Sequence, residues 1–142
     1  MLKIFIDSDV LLDVLSRRVP FYNESAEVLT LAERKSVNAY TTPLVIANIF
    51  YILRKLKTKK TALESLRKLR LFINILSITE HIIDKALVSK FNDFEDAVQY
   101  FAAADNDAEV GFIITRNKAD YKPSKIPVCT PAEFLEMFNS QK

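Results

Sequence analysis

Glycine occurs once, at Gly111, in 142 residues. No phosphate-cradling loop of the GxGxxG or Walker type can be written with a single glycine, so nucleotide-binding folds of those kinds are excluded. Cysteine and histidine also occur once each, at Cys129 and His81. Disulfide frameworks, zinc fingers and any catalytic triad or metal site that needs several such residues go with them. Whatever chemistry the chain carries must rest on oxygen ligands. The opening MLKIFID lacks the apolar core of a signal peptide, and no stretch approaches the ~20 uncharged residues of a membrane span. The expectation is a soluble, cytoplasmic protein with no membrane partner. Charge of one sign is not in excess either: 20 Lys plus Arg against 18 Asp plus Glu leave a net charge of +2. Any nucleic-acid or membrane partner must therefore be read from local charge.

What is present is an apolar half, 49% of the residues, enough for the core of one domain over residues 1–142. Short β-branched or aromatic runs (KIFI, VNAY from Val37, INILSI from Ile73, FIIT from Phe112, IPVC from Ile126) are separated by longer amphipathic segments. That alternation predicts an α/β fold, a central parallel sheet of about five strands covered by helices. Thr61 to Glu64 and Thr130 to Glu133 each read as a capping box, with Pro131 suited to a first helical position. Pro43 opens a further helix, LVIANIFYILRKL, whose apolar residues cover so much of its surface that it is expected to be largely buried. Asn48 is then a polar residue in an apolar helix.

Each expected strand runs into a polar residue: Asp7, Thr41 and Thr42, Thr79, Thr115, Thr130. Ligands of open α/β sheets bind beyond those carboxyl ends. Asp7, at the tip of the first strand, reads equally as a helix N-cap and as a cation ligand. Asp9 and Asp13 read as solvated first-turn charges. A second acidic stretch, NDFEDAVQYFAAADNDAE, holds Asp93 and Asp96 one helical turn apart, free of Lys and Arg; Asp105, Asp107 and Glu109 read as a solvated turn. A third, FIITRNKADY, sets Asn117 and Asp120 in a polar loop. Carboxylates crowded without basic partners repel unless a cation sits among them, and an all-oxygen donor set favours Mg2+ or Mn2+. His81, two residues past Thr79, reads as solvated on a surface helix.

The ordered set FIDSDVLLDVLSRR, YTTPLVIANIFYILRK, DFEDAVQYFAAA, FIITRNKADY and IPVCTPAEFL resembles the PIN-domain family, in particular the small ribonucleases of toxin–antitoxin pairs, over nearly the whole chain. The resemblance implies a three-layer α/β/α fold and metal-dependent cleavage of RNA by an activated water. It implies Asp7 and Asp96 as metal ligands, with Asp93 and Asp120 as supporting carboxylates. The second and fourth acidic positions fall on amides, Asn48 and Asn117, which completes a catalytic set of Asp7, Asn48, Asp96 and Asn117. RNA, a cognate antitoxin and a second copy of the chain are the implied partners.

A positive track for RNA is offered by RKLKTKKTALESLRKLR, with Arg54, Lys55 and Lys57 at its start; Arg17, Arg116 and Lys118 stand nearer the acids in sequence. A solvated helix face explains the same charges. Phe21, Tyr22 and Tyr51 read as base-stacking or core residues. Two other readings stay open: a PIN-like binding module without catalysis, because of the two amides, and a haloacid-dehalogenase-like phosphatase using Asp7 and Asp9, for which the glycine-containing acidic motif is missing.

Overall fold

A strand of four residues, β1 (Lys3–Ile6), founds the architecture because three of them, Ile4, Phe5 and Ile6, are completely buried. An apolar run of that kind suits a parallel sheet covered on both faces. The computed structural model describes residues 1–141. After β1 come α1 (Ser8–Leu15), α2 (Tyr22–Glu33), β2 (Asn38–Thr41), α3 (Pro43–Leu56), α4 (Lys59–Leu69), β3 (Ile73–Ile75), α5 (Glu80–Leu87), α6 (Phe94–Ala104) and β4 (Phe112–Ile114). A 3₁₀ turn at Lys118–Tyr121, β5 (Val128–Cys129) and α7 (Pro131–Ser140) complete the order.

All strand pairs are parallel, in the order β3-β2-β1-β4-β5, and helices flank the sheet as in the three-layer α/β/α expected. The chain builds outward from β1 to β3, then returns to lay β4 and β5 on the other side. The order therefore reverses between β1 and β4, where α/β sheets open a crevice for ligands. No helix among the described residues is long and apolar enough to cross a membrane.

The polar residues that close the strands have a local task. Asp7, Thr42, Thr79 and Thr130 are the N-caps of α1, α3, α5 and α7, each accepting a backbone N–H that the first helical turn leaves unpaired. Thr130 and Glu133 form the expected capping box. Thr61 does not cap: α4 starts earlier, and Thr58 accepts from the Thr61 N–H instead. Two lysines at the first helical positions hid that start in the sequence.

The helix α3 corrects a second expectation. Only Val45, Ile49 and Leu53 are buried along it, while Ala47 is exposed and Tyr51 is 59% exposed. One stripe at helical spacing packs inward against α1 and α4, and the apolar residues on the outer face stay uncovered. Leu53→Ala is expected to cost about 2–5 kcal/mol in urea denaturation. Tyr51→Ala should stay within about 0.5 kcal/mol; equal losses would contradict this one-sided burial.

Candidate active site

The β1–β4 ladder continues one step beyond the strands, with the Asp7 N–H donating to the Ile114 carbonyl at 3.0 Å. This holds the Asp7 side chain at the switch point. One carboxylate oxygen accepts from the Ser8 N–H at 2.8 Å; the other accepts from the Thr115 hydroxyl at 2.9 Å and the Tyr121 hydroxyl at 3.2 Å. Asp7 is 7% exposed. Its burial, reinforced by the charge of Asp9, pushes its carboxyl up to about 6 despite those three donors.

Asp96 lies in the first turn of α6, where Asp93 caps the helix by accepting the Asp96 N–H at 3.0 Å. Half-buried, Asp96 has its carboxyl pushed up to about 7, first by desolvation and then by the charges of Asp7, Asp93, Asp120 and Glu95. Acids from β1, α6 and the 3₁₀ turn thus act on one another across a shared crevice. The Asp96 carboxylate has neither an ion-pair nor a hydrogen-bond partner among the described residues.

The two amides expected near this centre each hold an acid. Asn48 donates from Nδ2 to Glu95 at 3.0 Å, tying α3 to the first turn of α6. Asn117 donates from Nδ2 to Asp9 at 3.2 Å, and its backbone N–H donates to the Thr115 hydroxyl at 3.1 Å. Asp120 is exposed on the 3₁₀ turn and contributes charge at Asp96.

Asp9 and Asp13 are not the solvated charges expected of them. Asp13 is completely buried, accepts two bonds from Arg116 (Nε at 2.8 Å, Nη2 at 3.1 Å) and one from the Ser25 hydroxyl at 3.1 Å. Asp9 accepts the Arg116 N–H at 3.0 Å, and its carboxyl is raised mainly by burial. The reason is geometric: α1 leaves β1 toward the interior, so its first two turns face the end of β4 rather than water. Sequence reasoning also passed over Thr115 and Tyr121 as partners of Asp7. Thr115 is visible in retrospect as a hydroxyl closing an apolar strand; Tyr121, buried and with its phenol pushed further up by burial and by Asp7, carries no such signal.

Among the basic residues, Arg116 is committed to Asp13 and stacks 3.8 Å from the Phe21 ring centroid. Lys118 pairs with Glu133 at 3.0 Å, Lys57 donates to the Leu15 carbonyl at 3.0 Å, and Arg17 lies 5.9 Å from the Tyr22 ring centroid. Arg54 and Lys55 are exposed and in no ion pair among the described residues. Asp105, read as solvated, pairs with Lys85.

The donor set tests the metal expectation. No group of three or more His, Cys, Asp and Glu residues among the described residues is arranged to hold an ion by itself. Two mutually repelling carboxylates without a cation, one of them unpartnered, do fit a hard ion that completes its shell with water and phosphate, the usual habit of Mg2+.

An α/β/α sandwich with carboxylates gathered at its switch point is a PIN-like arrangement. The sequence profile of the PIN domain matches residues 3–119, and the chain belongs to that family. Among solved structures, the fold is similar to a toxin–antitoxin complex from Klebsiella pneumoniae, at 21% identity and a TM-score of 0.65 over 90% of this chain and 97% of that one. It is similar to VapBC2 from Rickettsia felis bound to a fragment of its promoter DNA, at 13% identity and a TM-score of 0.62 over 90% and 97%. A third likeness is the sarcin-ricin-loop-cleaving toxin VapC20 of Mycobacterium tuberculosis, at 14% identity and a TM-score of 0.60 over 78% and 86%. Among curated proteins, none matches the chain in sequence.

Two expectations follow. Because Asp7 and Asp96 hold protons in the folded state up to about 6 and about 7, against an ordinary 3.8, their contribution to stability is full below pH ~4 and is lost as pH rises through those values. Without divalent ions the melting temperature should fall between pH 5 and pH 8, and Asp96→Asn should flatten that fall; an unchanged slope would place Asp96 in water. Arg116→Met leaves Asp13 buried and unpaired, and should cost about 3–5 kcal/mol in urea denaturation.

Proposed function

We propose that this chain is a divalent-metal-dependent endoribonuclease acting as the toxin of a toxin–antitoxin pair, with residues 1–142 forming one PIN-like unit. The observation that carries the reading is the coupling of Asp7 to an unpartnered Asp96 at the switch point of a PIN fold. Packing of α7 on α2 supports the extension of the unit beyond residue 119.

A bound Mg2+ or Mn2+ supplies charge neutralisation at the phosphate and a water acidic enough to react near neutral pH. The protein contributes position and charge. Asp7, fixed by Thr115 and Tyr121, and Asp96, fixed by the start of α6, would hold the ion through their carboxylates. Asp93 and Asp120 add negative potential, while Asn48 and Asn117 orient Glu95 and Asp9. Arg54, Lys55, Lys57, Arg17, Arg116 and Lys118 give a positive surface for the RNA backbone. A cognate antitoxin and a second copy of the chain are the protein partners of this reading.

The amides support a second reading, a nucleic-acid-binding module without catalysis, because both are used as donors to neighbouring acids rather than adding charge. Cleavage of a mixed RNA pool with and without Mn2+ separates the two. The native protein should cut only with Mn2+, and Asp7→Asn and Asp96→Asn should each slow cutting by roughly 100-fold or more, the order lost with one group that stabilises developing charge. Equal rates for all three proteins would overturn the nuclease reading; RNA retention without cutting would establish the module.

A further inference from the structure

Beside the acid centre, a pocket of about 410 Å³ opens between Phe21, Glu24, Ser25, Arg116, Thr130 and Pro131. The established features of the fold leave it without a task. Its volume lies in the range of small-ligand sites. Arg116 follows the tip of β4, and Thr130 follows the tip of β5, so the pocket occupies the sheet edge that carries Asp7. Neighbouring strand tips are ~4.8 Å apart, which puts the pocket one or two strand spacings from the acids. A single strand crossing the centre covers such a gap within one or two nucleotides.

The lining is specific. Phe21 is 40% exposed with Arg116 over its ring, so it lends the pocket an apolar wall beside the guanidinium. Arg116 gives Nε and Nη2 to Asp13, while Nη1 has no partner among the described residues and is not buried. It is a fixed donor, because the Asp13 pair and the Phe21 stack hold the guanidinium plane still. Glu24 is exposed and in no ion pair among the described residues, and its carboxylate oxygens are acceptors. Ser25 is buried and donates its hydroxyl hydrogen to Asp13, so it has no hydrogen left to give a ligand.

An apolar wall, a fixed guanidinium donor and an acceptor carboxylate match one base. Guanine presents O6 and N7 acceptors to an arginine, and the adjacent N1 and N2 donors that a carboxylate accepts together. Adenine, cytosine and uracil each lack one half of that pattern. We propose that the pocket is a guanine-base site, filled by a nucleotide of an RNA strand that crosses the acid centre or by a free guanine nucleotide. The RNA source rests on the nuclease reading above; the pocket itself does not.

Two arms test it. In the first, GMP, AMP, CMP and UMP are titrated separately into 15N-labelled protein without divalent ions. GMP should shift the amides of Phe21, Glu24, Arg116 and Thr130 at concentrations at least tenfold below the other three, and Glu24→Gln should remove that advantage. In the second, the ends produced from a mixed RNA pool with Mn2+ are sequenced. Cuts should fall at a fixed spacing from guanine, and Glu24→Gln should erase the bias while the protein keeps its melting temperature. GMP selectivity without any RNA cutting would assign the pocket to free nucleotide and refute the nuclease reading alone. Equal shifts by all four nucleotides would overturn the proposal, and cutting without guanine bias in the native protein would overturn the RNA source.

Discussion

Everything at the working edge of this protein depends on how repulsion among carboxylates is tolerated where β1 and β4 part. Folding draws Asp7 and Asp9, at the start of α1, and Asp96, at the start of α6, into one crevice, and desolvation raises all three carboxyls. Such an arrangement opposes folding on its own terms. It persists because the neighbouring contacts over-determine it: the Asp7 N–H completes the β1–β4 ladder, Thr115 and Tyr121 donate to its carboxylate, and Asp93 fixes the turn that carries Asp96.

Two carboxylates of α1 and its cap show how differently the same residue type can be handled. Asp13, completely buried, is matched by a bidentate guanidinium and a hydroxyl, and its charge is satisfied inside the fold. Asp7, two turns earlier and nearly as buried, receives only neutral donors. Arg116 therefore divides the acids into a side matched by a basic side chain and a side with no ion pair among the described residues. Its backbone reaches Asp9 and its side chain reaches Asp13, so one residue braces the centre and rigidifies the Phe21 pocket beside it.

The frame was legible in the sequence because it rests on local signals. Alternating apolar runs mark the strands, and the polar residues after four of them cap the next helix, since a strand tip turning into a helix leaves unpaired N–H groups at that place. Asp7, Asp93 and Asp96 stood out because acidic residues without basic neighbours are costly. What stayed hidden depends on contacts across the chain. The Asp13–Arg116 bond joins residues 103 apart and the Tyr121–Asp7 bond residues 114 apart, and no periodicity encodes either. α3 was misjudged for a different reason: apolar content predicts burial only when something covers each face, and the outer face of α3 has no cover.

The two amides bear on both stability and chemistry. An aspartate or glutamate at Asn48 or Asn117 would add a further negative charge to a crevice where Asp96 already titrates near 7. An amide adds none and donates a hydrogen bond, to Glu95 in one case and to Asp9 in the other. The metal-free fold is thereby relieved of repulsion, and Glu95 and Asp9 are held in place as charges the residues themselves do not supply. On the proposed metal-dependent reading, the same exchange would lower the field that attracts a divalent ion, and more of the attraction would come from the phosphates arriving with it. On the proposed nuclease reading, a site built this way would favour ion and polyanion entering together over ion alone, which would link occupancy of the centre to the presence of substrate.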